Sequence, residues 1–74
     1  MKVSELKSIV TPFKPITINL NSGFSVFIPH QDFLLFLPKE AGENVLAINQ
    51  DGRFHLISTS EIASIDYYVI EKRT

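Results

Sequence analysis

Apolar residues recur along this chain in two rhythms, and the change from one to the other falls at Pro15. Before it, Val3, Leu6, Ile9 and Val10 follow helical spacing, which predicts a short amphipathic helix over about residues 4–11. Ser4 suits its N-cap, and Glu5 suits the positive end of the helix dipole. Pro12 and Pro15 end it, because each lacks an N–H and forces extended geometry on its predecessor. So short a helix is unstable alone and needs an apolar surface to dock on.

From Ile16 onward the period is two. Ile16, Ile18 and Leu20 alternate with Thr17 and Asn19, predicting a strand at 16–20. Phe24, Val26 and Ile28 form one side of a second strand at 24–28, with Ser25 and Phe27 on the other. Asn21-Ser22-Gly23 joins the two as a hairpin turn. Pro29 stops the second strand, and FLLFL follows as a third at 33–37. After the loop PKEAGEN, a fourth strand at 44–49 sets Val45, Ala47 and Asn49 against Leu46 and Ile48. The Asp51-Gly52 pair predicts a type I′ turn into a fifth strand at 53–58, where Phe54 and Leu56 oppose His55 and Ile57. Residues 58–61, STSE, read as a single helical turn capped by Ser58 or Thr59. A last strand at 63–70 carries Ile65, Tyr67 and Val69 on one side and Asp66, Tyr68 and Ile70 on the other, before a polar tail at 71–74. The expected architecture is one domain over 1–74, mainly β: a small five-stranded SH3-type open barrel preceded by a short helix.

The run Phe33 to Leu37 departs from simple alternation. If Phe33, Leu35 and Leu37 are core, then Leu34 and Phe36 point the other way, toward water. With Phe27, they suggest a second face that something covers. The cover is the N-terminal helix, a subunit interface or both; a groove for a hydrophobic ligand is the third reading.

Length sharpens this point. At 74 residues a lone core is barely sufficient, and no cysteine is present to staple it. The apolar share of 45% excludes a disordered chain, so packing or a partner subunit must supply the stability. Absent cysteine also excludes disulfides and thiolate metal sites, and fits a reducing compartment. No apolar run approaches the ~20 residues of a membrane span, and no signal-peptide pattern opens the chain. A cytoplasmic protein with no membrane partner is therefore expected.

The formal net charge is −1, with the cations Lys2, Lys7, Lys14, Lys39, Arg53, Lys72 and Arg73 scattered. Strong nucleic-acid binders carry a basic stripe, because phosphate contacts supply most of the affinity. A monomer here lacks one, although a ring would gather one or two cations per subunit on one face. His30, Asp32 and His55 are the candidates for a metal or acid–base cluster, but no further ligand stands at metal-site spacing. His30 and Asp32 fit a turn cap, and His55 an outer strand position at solvent or a subunit edge. No nucleophile elbow and no Gly-rich phosphate loop are present, so neither an enzyme, a cofactor, a metal nor a small-molecule substrate is expected. Tyr67 and Tyr68 are adjacent and face opposite ways, which suits one to the core and one to an interface.

The order helix, PITINLNSG, further strands and a single turn before the last strand resembles the Sm-like family, in particular its bacterial Hfq-type branch. The likeness runs from about Ser4 to Tyr68. The stretch FKPITINLNSGFSVFIPHQDF also resembles a group of short bacterial proteins with no activity attached. They read Phe-x-Pro-Phe-x-Ile, Asp-Gly, His-Pro-x-Phe and Asp-Gly-Arg-Phe in order. Here Ile16, Ser22 and Gln31 replace their second Phe, first Asp and second Pro.

The Sm-like resemblance implies a homo-oligomer, a ring or a dimer, that binds single-stranded RNA weakly. Gln31, Asp32 and Phe33 fall where that family stacks and hydrogen-bonds uridines, while Lys39, Arg53 and His55 are further candidate RNA contacts. Ser58, Thr59 and Ser60 stand where the Hfq-type branch has Tyr-Lys-His, so that cation and that ring are missing. Leu34, Phe36, Tyr68 and Ile70 are the candidate interface. The rival reading is an oligomeric protein-interaction or structural module with no nucleic-acid role.

Overall fold

The computed structural model describes residues 1–67. It is mainly β, with one helix, α1 (Val3–Ile9), and six strands: β1 (Ile16–Leu20), β2 (Ser25–Ile28), β3 (Leu34–Phe36), β4 (Asn44–Ile48), β5 (Phe54–Ser58) and β6 (Ile62–Tyr67). They form two three-stranded antiparallel sheets, β2-β1-β6 and β3-β4-β5. Each of the six alternating segments forms a strand, one more than the five-stranded barrel expected of them, and the chain breaks between β2 and β3. Pro29 removes a ladder donor there, and a 3-10 turn, Gln31–Phe33, follows it. His30 caps that turn, its Nδ1 accepting the Asp32 N–H at 3.2 Å.

The inward residues of both sheets share one core. Ile16, Ile18, Val26 and Ile28 from the first sheet meet Leu34, Val45, Ala47 and Ile57 from the second, with Leu6 and Val10 of α1 among them. The period-two and helical patterns thus place these residues on the faces they predict. The third strand is the exception. Leu34 is 5% exposed and Leu35 41%, so the face assignment expected for FLLFL is reversed. The 3-10 turn before β3 shifts the parity, leaving Phe33 and Phe36 partly buried against the core.

Both hairpins close in the same way. The Gly23 N–H donates to Leu20 O and the Leu20 N–H to Phe24 O; the Gly52 N–H donates to Asn49 O and the Asn49 N–H to Arg53 O. Gly23 and Gly52 have φ of 95° and 87°, and no other residue of either turn has positive φ. Each is therefore a turn closed by one left-handed glycine, which bulges the following strand. The type I′ turn expected at Asp51-Gly52 is not formed, since it needs positive φ at Asp51 as well.

Helix α1 starts earlier than its sequence suggests, with Lys2 rather than Ser4 at the N-cap. Its ends are held by distant side chains. The Val3 N–H donates to Glu43 Oε1 at 2.6 Å, and the Tyr67 hydroxyl donates to Ile9 O at 3.1 Å. At the C-terminal turn, Leu6 O and Ser8 O accept from the Val10 and Thr11 N–H groups, and Lys7 O from the Thr11 hydroxyl at 2.7 Å. Every carbonyl left open by the last turn has a partner, as a short helix requires. Glu43 precedes β4 and Tyr67 ends β6, so the helix is tied to both sheets.

Candidate functional site

The outward sides of the two sheets differ in kind. On the first sheet the exposed side is polar and cross-linked. Asn19 Nδ2 donates to Ser64 Oγ at 3.1 Å and to Asp66 Oδ2 at 2.9 Å, while the Ser25 hydroxyl donates to Asn19 Oδ1 at 2.7 Å. Phe27 interrupts this polar ladder.

On the second sheet the outward side is apolar across its middle. Leu35 pairs with Leu46 and Leu46 with Leu56, which sets three leucines in one row across β3, β4 and β5. The next outward row is Ile48 opposite Phe54. Phe54 is 67% exposed and Leu56 66%, while Leu46 and Ile48 are half-buried. The patch ends in polar groups both ways. Asn44 lies opposite Ser58 at one end, and at the other Arg53 Nε approaches Asp51 Oδ2 at 3.5 Å in the hairpin turn. This is an apolar centre with a polar rim, the composition of an interface rather than of an ordinary surface.

Alternation produces both faces. In β4 the residues Val45-Leu46-Ala47-Ile48 are apolar at both parities, so filling the core with Val45 and Ala47 forces Leu46 and Ile48 outward. In β5, Ile57 goes inward and Phe54 and Leu56 outward. Helix α1 docks on the inner side, with Lys7 Nζ 5.9 Å from the Phe36 ring centroid.

The candidate interface residues divide accordingly. Leu34 is core, a correction forced by the reversed parity of β3, and Phe36 packs on the core beneath Lys7. Tyr68 and Ile70 lie outside the described residues. The residues that do form an exposed apolar face are Leu35, Leu46, Ile48, Phe54 and Leu56. The signal for four of them was present in the sequence, since VLAI, like FLLFL, offers no polar residue to face water, and Phe54 and Leu56 share a parity opposite the buried Ile57.

The candidate RNA contacts sit on several elements. Gln31 and Asp32 line a cleft of about 250 Å³ with Lys7, Thr11 and Phe36. Phe33 packs against the core, so its ring is only partly open to stack on a base. Lys39 sits in the 3-10 turn Lys39–Ala41, and Arg53 is beside Asp51. His55 is not on the outward side as expected: its parity is that of Ile57, and it is half-buried. Its Nε2 meets Asn49 Nδ2 at 2.7 Å, and its ring centroid lies 5.5 Å from that of Phe24. No hydrogen bond or ion pair among the described residues joins the Gln31-Asp32-Phe33 turn to Lys39, Arg53 or His55.

Among the described residues no group of three His, Cys, Asp or Glu side chains could hold a metal ion. No buried side-chain polar atom among the described residues lacks a partner. Thr59 is the one buried polar residue among those described, and its N–H and hydroxyl both donate to Glu43 O, at 2.9 and 3.2 Å. No helix among the described residues is long and apolar enough to cross a membrane. No family model matches the chain, and comparisons with curated proteins and with solved structures found no match.

Proposed function

We propose that the protein is a non-catalytic interaction module that works through the outward face of β3, β4 and β5. The observation that carries this reading is the row Leu35–Leu46–Leu56 with Ile48 and Phe54 beside it, a face with no charged side chain at its centre. A small domain gains nothing in monomeric stability from five outward apolar residues, and they raise its tendency to associate.

The fold underneath is an open SH3-type barrel in this proposal, with β2 and β3 as two pieces of one strand interrupted at Pro29–Phe33. Two features support it. The sheet orders β6-β1-β2 and β3-β4-β5 then read as one continuous series, and the 3-10 turn Thr59–Glu61 precedes the last strand. In that barrel β5 and β6 are the two edges, which leaves the β3-β4-β5 face as the broad surface.

Single-stranded RNA binding is the weaker reading of the same fold. It requires a stacking ring and several cations on one surface; here the Phe33 ring packs partly against the core and Arg53 stands beside Asp51, which weakens both roles. Fluorescence anisotropy with labelled oligo-U and oligo-A at low salt tests the choice. The expected result is no binding up to high micromolar protein; saturable binding that weakens with added salt would replace the interaction reading.

A further inference from the structure

The structure points to the occupant of this face, and we infer that it is the same face of a second copy, packed sheet on sheet about a two-fold axis near Leu46. This inference rests on the interaction reading above and specifies its partner.

Three observations carry it. The first is symmetry. The row Leu35–Leu46–Leu56 reads the same from either end, with Leu46 at its middle. A two-fold axis lying between two such faces at Leu46 therefore sets leucine on leucine, whether it runs along β4 or across it. Isologous contacts need this self-complementarity.

The second is charge. The centre of the face holds no ionisable group, so two copies meet without like-charge repulsion. The Asp51–Arg53 pair stands at the rim, where it stays hydrated. An acidic or basic partner would find nothing on the centre of this face to select it.

The third is area. With side-chain areas of about 150–200 Å² each, the 41, 67 and 66% exposures of Leu35, Phe54 and Leu56, and the partial exposure of Leu46 and Ile48, give a patch of roughly 400 Å². A standard interface covers about 800 Å² per partner, of which about 55–65% is apolar, so it needs on the order of 450–500 Å² of apolar surface. The face supplies most of that, and the rims at Asn44–Ser58 and Asp51–Arg53 extend it. Sheets packed face to face interdigitate their side chains at about 10 Å separation, which these leucines fit.

The absence of cysteine makes the test direct, because one engineered thiol can be bridged only to another copy. Leu46→Cys and, as a control on the β1–β2 hairpin turn, Ser22→Cys are treated at low micromolar concentration with a short bis-maleimide. Near-complete conversion of Leu46→Cys to dimer, at least tenfold above Ser22→Cys, is the expected result. Equal yields from the two variants would overturn it, since they would mean random collision.

If Leu46→Cys fails to cross-link, the self-pairing inference fails, and 8-anilinonaphthalene-1-sulfonate then decides what else falls. Dye emission enhanced by the wild-type chain and lost in Leu56→Glu leaves an open face meant for a different protein. No enhancement shows a face covered within its own chain, and the interaction reading fails too.

Discussion

The Glu43 carboxylate accepts the Val3 backbone N–H at 2.6 Å across 40 positions of sequence. Through it, the loop leading into β4 holds the first turn of a helix that could not persist alone. The same residue's carbonyl receives both donors of buried Thr59, so Glu43 links the helix, β4 and the turn before β6. Glu43→Ala removes only the carboxylate link. The expected loss is about 1 kcal/mol, read as a lower urea midpoint with an unchanged slope. Glu43→Gln keeps an acceptor oxygen and should lose less than half of that.

Tyr67 does the corresponding work at the other end of α1 by donating to Ile9 O. Tyr67→Phe should cost about 0.5–1.5 kcal/mol by the same denaturation measurement. Because both contacts pin one helix, the double variant Glu43→Ala with Tyr67→Phe should depart from additivity. An additive sum within error would mean that the two ends dock independently.

The two left-handed glycines are a test of turn geometry rather than packing. A Cβ at Gly23 or Gly52 would meet nothing within 4 Å, so the cost of alanine is conformational alone. Gly52→Ala should destabilise by about 1–2 kcal/mol. Gly52→Asn should recover part of it, since asparagine tolerates positive φ better. Equal stability of all three chains by thermal melting would contradict the single-glycine turn.

Much of the fold was legible because alternation is a strong signal when one parity is polar. Ile16, Ile18, Val26 and Ile28 are buried as ITINL and FSVFI require, and the STSE turn falls where its polar cluster placed it. Legibility failed where both parities are apolar. In FLLFL nothing in the sequence chooses between Leu34 and Leu35, and the choice is made by the 3-10 turn that His30 caps just before it. His55 was misread for the same reason, since Phe54-His55-Leu56-Ile57 has apolar residues on both sides and the inward slot went to Ile57, with His55 beside Asn49 and Phe24. The Glu43 and Tyr67 contacts to the helix, and Thr59 in the core, depend on tertiary placement and leave no local pattern.

Neighbouring residues of the FLLFL run give a parity test. Phe36 packs on the core under Lys7, so Phe36→Asp should destabilise the domain by about 3 kcal/mol or more and lower its melting temperature sharply. Leu35 points outward, so Leu35→Asp should change the melting temperature of the isolated subunit little. The reverse ranking would restore the face assignment that simple alternation suggests.

The central claim is that the outward side of β3, β4 and β5 is buried between copies, and sedimentation velocity tests it most directly. The wild-type chain, measured over a hundredfold concentration range, should sediment as a dimer whose mass does not grow further. Leu56→Glu should sediment as a folded monomer, with its dissociation constant raised at least a hundredfold. A wild-type chain that remains monomeric at the highest concentration, or a Leu56→Glu chain that dimerises as well as wild type, would contradict the account.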